Sequence, residues 1–258
     1  MIRKLLCFVS FATLAVASAL PCLAQQQLVE IRYYHFRSEE SAAKFDEMME
    51  SAAMPLLESA KVGPVGVFEV KDSSILDEND RVTIVPYESM EQLLATRERF
   101  AEDQQFLEKA SDYLTQVKGD PAFENLESML LLSFEGMPTL KVPAAAGEDR
   151  RLFELRTYRS ENEVQQHLKV QMFNEGEMAI FKKTGLNAVF YGDAIVAPNL
   201  PQLTYLLVHE NEEAKAKSWQ TFINSPEWKA LSGEEQYQVI KLQITSQMLQ
   251  ATDYSAIK

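Results

Sequence analysis

Branched or aromatic residues alternate with polar ones along Leu28 to Tyr34 (LVEIRYY), and the same alternation returns along Leu152 to Tyr158 (LFELRTY). A period of two over that length predicts a strand with two chemically different faces. Laid over each other, the stretches set Glu30 on Glu154, Arg32 on Arg156 and Tyr34 on Tyr158. The other face reads Val29, Ile31, Tyr33 in one copy and Phe153, Leu155, Thr157 in the other. The correspondence continues downstream: Met54 falls on Met178, Val62 on Leu186 and Val65 on Val189. After a slip of two residues, Glu88 falls on Glu210, Phe100 on Phe222 and Phe106 on Trp228. The chain therefore reads as two copies of one unit, a pseudo-dimer in a single polypeptide.

Each copy carries the same order of elements. In the first, the strand from Leu28 to Phe36 is followed by a helix from about Ser38, where Ala42, Phe45, Met49, Ala52 and Leu56 form an apolar stripe and Pro55 is expected to end or kink it. Val62 to Val70 and Arg81 to Tyr87 predict two strands, Ser89 caps a second helix, Asp103 to Ala110 a short helical piece, and Leu126 to Phe134 a fourth strand. In the second copy Ser160 and Glu163 predict a capping box, with Val164, Leu168 and Met172 continuing the helix. Leu186 to Val196, Leu203 to His209 and Val239 to Leu249 predict strands, Asn211 to Ile223 a helix, and Pro226 the first position of another. Strand, helix, strand, strand, helix, strand is the ferredoxin-like order. The expected fold class is thus α+β: two tandem ferredoxin-like repeats, at 25–135 and 151–258, packed sheet to sheet as an intramolecular barrel. A linker at 136–150, holding Pro138 and Pro143, separates them.

Residues 1–24 read as a secretory signal: Arg3 and Lys4, an apolar run from Leu5 to Leu20, and Cys22-Leu23-Ala24 before Gln25. An uncleaved anchor and a lipoprotein are the alternatives; Ser10, Ser18 and Pro21 interrupt the run, and Pro21 stands where a lipoprotein signal needs a small residue. The expectation is an exported, periplasmic or extracellular protein. Both cysteines, Cys7 and Cys22, lie in that segment, so the mature chain has no disulfide, thiolate catalysis or cysteine metal site to rely on. Net charge is -13, and -15 once Arg3 and Lys4 are removed, which argues against nucleic acid and anionic membranes as partners.

Candidate chemistry rests on the repeated polar face. If two sheets pack bare face to bare face, Glu30, Arg32, Tyr34, Glu154, Arg156 and Tyr158 point into the interior, and Tyr87 and His209, which align with each other, join them in a cavity between the repeats. Arginines and tyrosines in such a cavity suit an organic anion or a phenol-like compound. Equally, Glu30 with Arg32 and Glu154 with Arg156 lie two residues apart on one face, within reach of internal ion pairs that fix how the sheets register. His35, His167 and His209 occupy a strand end, a helix and another strand end, a pattern that favours no metal; a haem ligand at His209 or His35 has no supporting spacing. Glycine-rich phosphate loops, nucleophile elbows and zinc-protease motifs are absent from the sequence.

Glu154-Leu155-Arg156-Thr157-Tyr158, Ser225-Pro226-Glu227-Trp228 and Leu249-Gln250-Ala251-Thr252-Asp253-Tyr254 resemble the NIPSNAP family across residues 152–254. The first repeat resembles it more loosely, keeping Glu30-Ile31-Arg32-Tyr33-Tyr34 but holding Asp103-Gln104-Gln105-Phe106 where the proline and tryptophan stand in the second. The resemblance implies a dimeric α+β barrel. It implies no fixed reaction, since that superfamily includes cofactor-free monooxygenases, haem enzymes and stress-response modules. Two functions follow as expectations. The first is a monomeric binding or interaction protein that holds a small organic ligand and needs no cofactor. The second is an oxidoreductase with His209 or Tyr87 as proton carrier and Arg32 or Arg156 steadying an anion.

Overall fold

The computed structural model describes residues 25–115, 121–144 and 151–258; the expected signal at 1–24 and residues 145–150 of the expected linker lie outside them. The first repeat runs β1 (Leu28–His35), α1 (Glu39–Met48), a π-helical turn (Met49–Ala53), α2 (Met54–Ser59), β2 (Gly66–Asp72), β3 (Arg81–Tyr87), α3 (Met90–Glu102), α4 (Gln104–Lys109), α5 (Ser111–Leu114) and β4 (Asn125–Ser133). The second runs β5 (Leu152–Ser160), α6 (Glu163–Met172), a π-helical turn (Phe173–Glu177), α7 (Met178–Lys183), β6 (Asn187–Val196), β7 (Gln202–His209), α8 (Glu212–Asn224), α9 (Pro226–Ser232), a 3-10 turn (Glu235–Tyr237) and β8 (Leu242–Ala251).

The eight strands close into one antiparallel barrel in the order β1-β3-β2-β8-β5-β7-β6-β4. Each repeat contributes four consecutive staves, and the seams are β2 with β8, where Phe68 faces Ala251, and β4 with β6, where Leu132 faces Asp193. Both seams carry a register shift, at Val70/Asp72 and at Leu130/Leu131. Such bulges bend a strand and raise its twist, which a closing sheet requires. The chain end adds a clasp: Thr252 N–H donates to the Val67 carbonyl, Ala256 N–H to that of Val65, and Tyr254 OH to Asp46 at 2.6 Å. The second repeat is thereby tied to the first by its own tail.

The barrel interior is apolar. Val29, Ile31, Val82, Ile84, Leu131, Phe153, Leu155, Phe190, Leu206 and Leu249, drawn from both repeats, form a single core, with Phe68 and Phe153 meeting across the seam at 5.1 Å between centroids. Two further cores lie outside the barrel wall, each beneath the helices of its own repeat. Leu140 packs against the barrel core and Met137 against the second-repeat core, while Lys141 N–H donates to the Val189 carbonyl. The early part of the expected linker is therefore a strap held along the barrel.

Three local expectations change. Pro55 does not end its helix: α2 follows the π turn without a break in helical backbone, and Pro55 is its second residue. The equivalent π turn Phe173–Glu177 forms with Ala179 where the first copy has Pro55, so the turn belongs to the repeat and not to Pro55. The cap of α6 is Asn162, whose side chain accepts from Gln165 N–H at 3.0 Å; Ser160 ends β5 and donates to Gln166 at 2.8 Å. Finally, Val164 is 70% exposed and α6 buries Gln166, Lys169 and Met172 instead. The two buried polar groups have partners, Gln166 donating to Asp193 at 2.6 Å and Lys169 pairing with Glu177, so polarity does not bar them from the inner face.

Candidate functional site

The Glu-Arg-Tyr faces do not point into the barrel. Val29, Ile31 and Tyr33 take the interior, and Tyr34 lies in the core beneath the first-repeat helices, as Tyr158 does beneath those of the second. The expected cavity between the repeats is therefore replaced by two separate sites, one on each outer wall of the barrel. Shape and solvation explain this. Interior staves meet side chains from seven neighbouring strands in a dry space, where two arginines and two glutamates would be costly; the space under the helices opens to solvent at its rim.

The two sites are equivalent by register. Arg32 faces Thr83 on β3 and Ser128 on β4; Arg156 faces Tyr205 on β7 and Ser246 on β8. Leu28 faces Tyr87, and Leu152 faces His209. Helices α3 and α8 are both 13 residues long, start from the caps Ser89 and Asn211, and bring Arg97 and Trp219 to the same turn. The π turns end on Ala53 and Glu177, and Phe45 of α1 corresponds to Lys169 of α6.

In the second repeat the site is full. Glu154 accepts from four donors: Arg156 Nη1 at 2.7 Å and Ser246 Oγ at 3.0 Å on Oε1, His209 Nε2 at 3.1 Å and Trp219 Nε1 at 2.8 Å on Oε2. Burial alone would raise its pKa, but the bond from His209, the charge of Arg156 and the bond from Trp219 outweigh it, holding the carboxyl at about 2. The Arg156 guanidinium stands 4.4 Å over the Trp219 ring. Tyr205 OH donates to Tyr158 OH at 2.7 Å, and burial pushes the Tyr205 hydroxyl well above its ordinary range. Lys169 and Glu177 make a buried ion pair at 2.6 Å, with the ammonium 4.7 Å from the Phe173 centroid.

In the first repeat the same place is hollow. A cavity of about 180 Å³ lies between sheet and helices, with Glu30, Arg32, Tyr34, Thr83, Tyr87, Arg97 and Tyr113 among its walls and Met48, Met49, Ala53, Leu57, Phe100 and Phe106 as its apolar lining. Glu30 takes Arg32 at 2.9 Å, Ser128 at 3.3 Å and Tyr87 at 3.3 Å. Burial, and then the Glu30 charge, push the Tyr87 hydroxyl above its ordinary range, so it stays protonated and donates. Tyr113, 8% exposed, has a buried hydroxyl without a hydrogen-bond partner among the described residues. Thr83 in place of Tyr205, Ala53 in place of Glu177 and Arg97 in place of Trp219 account for the open volume.

Of the residues expected from sequence, Glu30, Arg32, Tyr34 and Tyr87 come together at the cavity. Glu154, Arg156, Tyr158 and His209 come together in the filled copy, and both Glu-Arg ion pairs form, at 2.9 and 2.7 Å. His209, its side chain 1% exposed, holds Glu154 and does not reach the cavity. His35 pairs with Asp80 at 2.8 Å and His167 lies exposed on α6, so the three histidines do not converge. A haem does not fit these residues: no histidine side chain lines the cavity, and its volume is below the roughly 300 Å³ at which pockets for drug-sized ligands begin. Arg97, Tyr113 and Trp219 were not singled out by sequence. The repeat alignment contained the signal for two of them, since a guanidinium and an indole at matching positions of matching helices mark a divergence within an otherwise parallel pair.

A closed barrel of two ferredoxin-like halves, with helices over its outer wall, defines the dimeric α+β barrel class. Solved structures share the fold: a candidate monooxygenase from Lactobacillus acidophilus matches at 11% identity and TM-score 0.54, over 87% of this chain and 94% of its own. Another from Fusobacterium nucleatum matches at 9% identity and TM-score 0.55, over 88% and 93%. A candidate chlorite dismutase matches at 8% identity and TM-score 0.50, over 90% and 97%. Residues 153–256 match the profile of the NIPSNAP family. A search of curated proteins finds no significant match. Among the described residues no helix is long and apolar enough to cross a membrane.

Proposed function

We propose that this protein binds a small organic molecule under the helices of its first repeat. The observation that carries this reading is the hollow copy beside the filled one: the second repeat supports a fully packed arrangement of the same fold, and the first leaves about 180 Å³ open with convergent polar groups. An apolar cavity of about 150 Å³ is enough for benzene. The walls are mostly apolar, and Arg32, Tyr87 and Tyr113 supply donors that fix orientation, the usual composition of a ligand site. The chain acts as an exported monomer in this reading, its second repeat serving as the first one's partner.

Ligand-observed NMR with a panel of small aromatic and aliphatic molecules tests it, using the wild-type protein and Ala53→Leu, which narrows the cavity from the π turn. Binding that weakens at least several-fold in Ala53→Leu is the expected result. A panel without binders, or binders indifferent to the substitution, would refute it. Turnover is the second reading, favoured by the shared fold of the two candidate monooxygenases and by Tyr87 at the cavity wall. Dioxygen uptake that depends on a bound ligand and falls in Tyr87→Phe would establish it.

A further inference from the structure

We infer that the ligand of the first-repeat cavity is a planar aromatic molecule carrying an N–H or O–H donor, of the indole or phenol type; this rests on the ligand-binding reading above. The filled copy is the template. There the volume is taken by the indole of Trp219 and the phenol of Tyr205, the first donating to Glu154 and lying under Arg156, the second bonding Tyr158. The first repeat keeps every receiving group. Glu30, Arg32 and Tyr34 stand where Glu154, Arg156 and Tyr158 stand, while the rings themselves are missing, because Arg97 and Thr83 occupy those positions.

The hydrogen-bond count points the same way. Glu154 Oε2 accepts from His209 at 3.1 Å and from Trp219 at 2.8 Å. Among the described residues Glu30 Oε2 accepts from Tyr87 alone, and at 3.3 Å. A buried carboxylate oxygen has room for a second donor, and a ligand N–H or O–H at the place of the indole nitrogen supplies one of the stronger, charge-assisted kind. Among the described residues Tyr34 OH bonds only to Arg32, at 3.4 Å, where its counterpart has a phenol at 2.7 Å. A flat ring between those groups also lies under the Arg32 guanidinium, as the indole lies under Arg156.

Isothermal titration of the full protein with indole and phenol, against N-methylindole and anisole, isolates the donor while keeping the ring. The donors should bind on the order of tenfold more tightly than their methylated forms. Glu30→Gln should reduce that preference, and the double variant Thr83→Tyr with Arg97→Trp, which rebuilds the filled copy, should abolish binding of all four. Methylated rings that bind as well as the donors, or aliphatic molecules that bind where rings do not, would overturn the inference and leave the ligand-binding reading intact. Binding by none of these, and by no member of the wider panel, would remove both.

Discussion

Glu154 and Glu30 occupy equivalent positions, yet replacing each by glutamine should have unequal consequences. Glu154 receives four donors at 2.7 to 3.1 Å, and its carboxyl is held at about 2 against an ordinary 4.5. At about 1.4 kcal/mol per unit, the depression corresponds to about 3 kcal/mol of folding stability at neutral pH. Glu30 has one bond at 2.9 Å and two at 3.3 Å, beside an arginine that is 27% exposed, and its replacement should cost about 1 kcal/mol. Because Glu154 is more acidic folded than unfolded, its contribution is complete above about pH 4.5, fades as pH falls, and is lost near pH 2. Urea denaturation of wild type, Glu154→Gln and Glu30→Gln at pH 7, 5 and 3 measures this directly. The Glu154→Gln deficit should be close to its full value at pH 5 and about half of it at pH 3. Equal costs for the two variants, or a Glu154→Gln deficit unchanged at pH 3, would show that the four-donor arrangement does not set the stability of the second site.

Three other outcomes test the packing. Gly192→Ala sets a Cβ 2.7 Å from that of Leu131 at the β4–β6 seam, where neither backbone is free to retreat, and should cost about 1–3 kcal/mol by thermal denaturation. Lys169→Met leaves Glu177 buried and uncompensated and should destabilise by about 3 kcal/mol or more, whereas Lys169→Met with Glu177→Leu should recover most of the loss; a double-mutant cycle reads the coupling. Phe153→Ala removes a fully buried ring that contacts Phe68 across the seam and should cost about 3–5 kcal/mol, with both repeats unfolding in one transition by circular dichroism and tryptophan fluorescence.

Much of the architecture was legible because strand alternation survives in both copies, and because the Ser89 cap and Pro226 at the first position of α9 read locally. What could not be read was which face of β1 and β5 turns inward. A Glu-Arg-Tyr face and a Val-Ile-Tyr face are both compatible with a two-sided sheet, and only closure of the barrel decides between them. The helix α6 formed as expected, but its buried face was hidden for a related reason: Val164 looks apolar and Lys169 charged, yet an ion pair eight residues along the chain makes Lys169 the buried one. Pairings that neutralise a charge across a π turn leave no periodic trace in sequence. Glu30, Arg32, Tyr34 and Tyr87 were found as a set since the repeat marks them, whereas Arg97 and Tyr113 lie on helices where one residue in several faces the sheet.

Duplication also explains how one site can be hollow without the protein losing cohesion. A cavity of this size removes packing contacts from its walls and would weaken an isolated ferredoxin-like unit of about a hundred residues. Here that unit does not stand alone. Its β2 and β4 are hydrogen-bonded to β8 and β6, its interior face is buried against Phe153, Leu155 and Leu206, and the tail is hydrogen-bonded to Val65 and Val67 and adds Ile257 to the barrel core. The barrel core thus belongs to both repeats, while Thr83 and Arg97 line the first-repeat cavity, so a change at either alters that cavity without touching the shared interior. The filled copy, with its four-donor glutamate and caged lysine, keeps the packed form of the same arrangement, and the first copy leaves about 180 Å³ of it open.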